Sequence, residues 1–102
     1  MTLTEYEDIQ KGDALYFARI MPSFGYYEIH DVILVTKYDD HCSVCELKTK
    51  QSFLFNLKTL QEQLYVDREE ALTYLKDMKK KNKDVRVYAK TKDVEAESEE
   101  NE

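Results

Sequence analysis

Apolar and polar positions along this chain fall into a polar opening, four strand-like runs, two helix-like runs and an acidic end. The first ten residues are largely polar and acidic and read as a lead-in without an element of its own. Lys11-Gly12-Asp13 is a turn signal, since glycine supplies a permissive backbone, and the aromatic and branched run over 14–21 suits a strand. Pro22, Ser23 and Gly25 break it. Residues 26–38, YYEIHDVILVTKY, are rich in β-branched and aromatic side chains and lack helical spacing, which predicts a long strand bent near Asp31. Asp39-Asp40 turns the chain into a third strand over 42–47, and residues 48–51 make a hairpin into a fourth over 52–55.

Asn56 can cap a helix of about two turns in which Leu57, Leu60 and Leu64 recur at spacings of three and four. Val66 ends a brief extended link. Asp67 with Glu70 three residues on is a capping-box pattern, and it opens a helix whose Ala71, Leu72, Leu75 and Met78 form one apolar stripe. Residues 84–88 alternate apolar with polar, as an edge strand does or as a trailing segment that orders on a partner. The predicted class is α+β: a small, strongly curved antiparallel sheet or barrel of about four to five strands, with a short helix and a C-terminal amphipathic helix.

A length of 102 residues supports one core. Residues 1–10 are the lead-in and 11–92 the single domain. Residues 93–102, DVEAESEENE, have too little apolar content and too much like charge to fold, and are expected to be a disordered acidic tail. No apolar run approaches the roughly 18 residues of a membrane span. The N-terminus is acidic where a secretory signal would be basic and then apolar, so a cytoplasmic location is expected. In a reducing compartment Cys42 and Cys45 are thiols or metal ligands rather than a disulfide. The net charge of −6 is segregated: −6 over residues 1–75, +6 over 76–92 and −6 over 93–102. Such a basic stretch can track phosphates, and the adjoining acidic tail would compete for it.

Only His30 and His41 could serve as the usual general base, and neither sits in a catalytic motif. With Gly12 and Gly25 as the only glycines there is no phosphate-cradling loop, so a non-enzymatic protein is expected. One structural zinc is the only cofactor suggested. Cys42 and Cys45, with His41 adjacent and His30 upstream, are the donor types of a tetrahedral site. In a flat strand residues three apart point to opposite faces, so chelation requires a tight knuckle; otherwise one thiol packs in the core and the other lies half-exposed. Tyr26 and Tyr27 cannot both face one core, which makes Phe24, Tyr26 and Tyr27 a candidate contact turn. Lys79, Lys80 and Lys81 suit the negative end of a helix dipole, and with Lys83 and Arg86 they also make a candidate basic contact segment.

Lys11-Gly-Asp-Ala-Leu-Tyr-Phe-Ala-Arg-Ile20, Tyr27-Glu-Ile29, Ser52-Phe-Leu-Phe55 and Val66-Asp-Arg-Glu-Glu-Ala-Leu72 together resemble a family of small proteins from phages and mobile elements of Gram-positive bacteria. The resemblance spans roughly residues 11–80 and implies an SH3-like small barrel with a C-terminal helix. Phage genes of this size often encode inhibitors of host defence, so it also implies an anti-CRISPR type of inhibitor that binds and blocks an effector nuclease. The expected partner is therefore a host protein, with no membrane and no small-molecule substrate. The alternative is a nucleic-acid-binding phage accessory protein that uses the 79–86 segment, with affinity falling steeply as salt rises.

Overall fold

The computed structural model describes residues 1–87. The acidic segment 93–102, the end of the basic stretch and Tyr88 lie outside the described residues. Chain order is α1 (Leu3–Asp8), β1 (Ala14–Met21), a 3-10 turn (Pro22–Phe24), β2 (Tyr26–Lys37), β3 (His41–Glu46), β4 (Ser52–Asn56), α2 (Leu57–Gln63), β5 (Leu64–Tyr65) and α3 (Arg68–Lys81). The strands form one antiparallel sheet in the order β4-β3-β2-β1-β5. β4 and β5 are its two edges and do not pair, so of the two expected architectures the chain adopts the open sheet and not the closed barrel. The β2–β3 register shifts between Leu34 and Thr36, with Val35 as the extra residue.

Alternation along the strands sorts side chains onto two faces. Leu15, Phe17, Val32, Leu34, Cys42, Val44 and Phe55 share one face and pack with Met1, Tyr6, Ile9, Leu60 and Leu64. Burying each aliphatic side chain contributes roughly 1.5–3 kcal/mol. A one-residue slip of any strand would turn that set outward, which fixes the register. On the opposite face Ala18 is sealed, and α3 packs over β1, β2 and β5 with Ala71 and Leu75 buried.

The expected lead-in is part of the fold. Thr2 and Glu5 form a capping box that opens α1: Glu5 N–H donates to Thr2 Oγ1 at 3.1 Å, and Thr2 N–H donates to Glu5 Oε1 at 2.8 Å. Lys37 Nζ donates to the carbonyls of Glu7 and Ile9 at the other end, both at 2.9 Å. The Tyr6 hydroxyl donates to the carbonyls of Tyr38 and His41 at 2.5 and 2.8 Å, tying α1 to the β2–β3 turn. The acidic residues line one side of a helical turn whose other side, with Met1, Tyr6 and Ile9, completes the core.

Asn56 caps α2 as expected, accepting from Thr59 N–H at 2.9 Å. Asp67 caps α3 through Glu69 N–H at 3.2 Å, a simple N-cap without the expected return bond from Glu70. Residues 84–87 form no strand; Val85 N–H donates to the Asn82 carbonyl at 2.9 Å and closes a turn. Among the described residues no helix is long and apolar enough to cross a membrane.

Candidate functional site

The β1–β2 connection is shaped by two residues with restricted or permissive backbones. Pro22 opens the 3-10 turn, where its fixed φ costs nothing, and Gly25 ends it at φ +65°, with its N–H donating to the Pro22 carbonyl at 2.9 Å. The turn leaves Phe24 at the tip, 55% exposed. β2 then sends Tyr26 and Tyr27 to opposite faces.

Tyr27 meets the end of α3. A cleft of about 270 Å³ is lined by Pro22, Gly25, Tyr27, Lys79, Asn82 and Lys83, with Val85 and Val87 beyond. The fold thereby joins one aromatic from the expected contact turn to two lysines from the expected basic segment. Lys80 and Lys81 are exposed on α3 but do not line the cleft. Arg86 is exposed and engaged in an intramolecular contact. Asn82 was not singled out by the sequence. It is the C-cap of α3, and its side-chain amide nitrogen is buried without a hydrogen-bond acceptor among the described residues. The cleft thus brings two lysines beside a residue whose amide donor is buried and unpartnered, and a carboxylate or phosphate oxygen could reach that donor only if the Asn82 side chain turned outward.

Tyr26 belongs to a different cluster, on the core face. Its hydroxyl lies 2.9 Å from His30 Nε2 and 3.4 Å from Glu28 Oε1, and the Arg19 guanidinium sits over the Tyr26 and Phe53 rings at 5.7 and 5.2 Å. His30 Nδ1 in turn faces Glu46 Oε2 at 3.8 Å. Hydroxyl, imidazole and carboxylate are thus in series, but the last gap exceeds hydrogen-bonding range. Partial burial, with Glu28 nearby, raises the Tyr26 pKa above its ordinary value, so the hydroxyl stays protonated. The arrangement is a polar plug on the core face.

The four candidate zinc ligands are spread over both faces. Residues 41–46 are a regular strand without a knuckle. Cys42 is fully buried beside Phe55, and burial pushes its thiol pKa up, whereas Cys45 lies opposite Ile33 and Ser52 on the other face. His30 shares the Cys42 face but is occupied by Tyr26 and Glu46. His41 stacks on Tyr38 at 4.6 Å, with Nδ1 2.6 Å from Asp40 Oδ1, and that contact lowers the Asp40 pKa. Among the described residues no three His, Cys, Asp or Glu side chains gather as a metal-holding group.

A larger cleft of about 470 Å³ lies between α1 and the β2–β3 turn, lined by Leu3, Tyr6, Lys37, Tyr38 and Leu57 among others. Its Lys37 ammonium and Tyr6 hydroxyl are already bonded to backbone carbonyls, and the remaining charged groups in its wall are the carboxylates of Glu7 and Asp39. No family model, characterised protein or solved structure matches the chain.

Proposed function

We propose that this protein is a non-catalytic binding domain that seats an acidic segment of a protein partner in the cleft between the β1–β2 turn and the end of α3. One observation carries the reading: Asn82, whose buried amide nitrogen has no acceptor, lines a cleft together with Lys79 and Lys83. A buried donor without a partner costs about 1–3 kcal/mol, and an incoming carboxylate oxygen removes that cost while pairing with the lysines. Tyr27 in the wall and the exposed Phe24 in the adjoining turn supply the apolar contact that aromatic residues bring to interfaces. The resemblance to small phage proteins gives the reading its specific form, an anti-defence inhibitor acting by occupancy on a CRISPR effector nuclease in the bacterial cytoplasm.

Nucleic acid is the second reading, favoured by the exposed run of Lys79, Lys80 and Lys81 beside the same cleft. It ranks lower because residues 1–75 carry a net −6, which repels a polyanion beyond this one helix end. Affinity capture from a bacterial lysate with the native chain and with Lys79→Glu/Lys83→Glu separates the two. The proposal expects a stoichiometric protein partner that the double variant loses. Recovery of no protein, or of the same protein by both baits, would sink it. DNA or RNA binding that falls linearly in log affinity with log salt would install the second reading instead.

A further inference from the structure

The outer edge of β4 is open, and the hydrogen-bond phase of the hairpin shows which groups it offers. Glu46 N–H donates to the Gln51 carbonyl at 2.8 Å, so residues 46 and 51 are a bonded pair. Bonded and non-bonded pairs alternate along an antiparallel ladder. The register Val44↔Phe53 and Cys42↔Phe55 then makes those the next bonded pairs, and the backbone groups of Ser52, Leu54 and Asn56 point away from β3. Asn56 N–H is already taken by Thr59 Oγ1 at 3.0 Å. What remains is the N–H and C=O of Ser52 and Leu54, with no strand beside them among the described residues. Sheets that stay monomeric blunt such an edge with charge, proline or a bulge. β4 has none of these in Ser52–Asn56, and Leu54 is 76% exposed.

We propose that a second copy of this chain pairs with β4 edge to edge, antiparallel, about a two-fold axis at Phe53. Ser52 of each copy then lies opposite Leu54 of the other, and four backbone hydrogen bonds use every free group on both edges. A second copy fits better than a longer foreign strand because the usable edge is bounded by its own structure. At one end Asn56 is consumed by the α2 cap, and at the other Lys50 sits at φ +64° in the turn. A longer strand gains no further bonds. On the core face the half-buried Phe53 rings of the two copies meet at the axis, and on the other face each Leu54 is covered by its neighbour's strand. β4 contributes no residue to the Lys79–Lys83 cleft, so the pairing stands or fails independently of the proposed function.

Two such short edges bury less than the ~1,200 Å² at the low end of standard interfaces, so association is weak. Each chain carries −6, so added salt strengthens the pairing by screening that repulsion. Sedimentation of the full chain from ~10 µM to ~1 mM, with amide exchange on the same samples, tests it. The expected result is a monomer–dimer equilibrium in which Ser52 and Leu54 amides gain protection as concentration rises. Leu54→Lys should raise the dissociation constant at least about tenfold with an unchanged circular-dichroism spectrum. A chain still monomeric at ~1 mM, a dimer indifferent to Leu54→Lys, or a dimer with an unprotected Leu54 amide would overturn the proposal. If the variant failed to fold, exchange on the native chain decides alone.

Discussion

Glu46 Oε2 faces the His30 imidazole at 3.8 Å while Glu46 Oε1 accepts from Lys48 N–H, Thr49 N–H and Thr49 Oγ1 at 2.9, 2.6 and 3.0 Å. One carboxylate, 5% exposed, thus closes the β3–β4 turn and anchors the polar plug. The Thr49 and Lys48 hydrogen bonds, with His30 assisting, hold its carboxyl below the ordinary value of 4.5. A group with a depressed folded-state pKa contributes stability above the unfolded value, and that contribution is lost as pH falls through the folded one. The melting temperature of the native chain should therefore decline as pH is lowered from about 5 towards 3, and Glu46→Gln should show a shallower decline. Parallel melting curves for the two proteins would refute the assignment.

Cys42 and Cys45 make opposite demands of a substitution. Cys42→Ser buries a hydroxyl in an apolar site and is expected to cost roughly 1–3 kcal/mol. Cys45→Ser, on the other face and partly exposed, should stay within about 0.5 kcal/mol of the native chain. Denaturant unfolding measures both. A shared zinc would make the two substitutions comparably severe and the protein sensitive to chelator, and that pair of results would require β3 to rearrange.

The N-terminal ten residues are the clearest case of structure that their composition concealed. Thr2-x-x-Glu5 is a capping-box spelling, yet six residues of helix carry too little periodicity to outweigh four acidic side chains in the first thirteen positions. β1 to β4 were legible because alternation and turn residues coincide, and α3 because its apolar stripe and acidic start agree, whereas Leu64, read as part of the preceding helix, instead begins the two-residue strand β5. Barrel closure was not legible: whether β4 and β5 meet depends on how α2 spans them, which no local pattern encodes. The cleft was half legible, since Tyr27 and the lysines stood out by type, whereas the isolation of the Asn82 amide exists only in three dimensions.

Tyr6→Phe tests whether α1 is integral to the fold. It removes a hydroxyl that serves two carbonyls and leaves the ring in the core, so the expected loss is about 1 kcal/mol, with faster exchange at the β2–β3 turn. No loss would mean that α1 rests on the sheet without supporting it.

Asn56→Ala removes the cap and half of the box at the start of α2, for an expected cost of about 0.5–2 kcal/mol. The backbone N–H of residue 56 keeps its bond to Thr59 Oγ1, so the usable edge of β4 is unchanged. The variant should be less stable as a monomer and no weaker in self-association, a combination readable by unfolding at low concentration and sedimentation at high.

Asn82 is where folding and binding make opposite predictions. If its amide is kept for a partner, the free protein carries an unsatisfied donor, and an apolar residue of similar volume relieves it. Asn82→Leu should then leave the melting temperature unchanged or raise it, while weakening capture of the partner about as much as loss of one charge-assisted hydrogen bond, roughly tenfold. Asn82→Asp keeps the shape and adds a negative charge to the wall that Lys79 and Lys83 share, so it should abolish capture of an acidic partner while the fold persists. A cap that merely secures the helix end would behave otherwise: Asn82→Leu would lower the melting temperature, and binding would change only in step with that loss. Measuring both variants by thermal melting and by titration with the captured partner distinguishes an amide held in reserve from one that only finishes a helix.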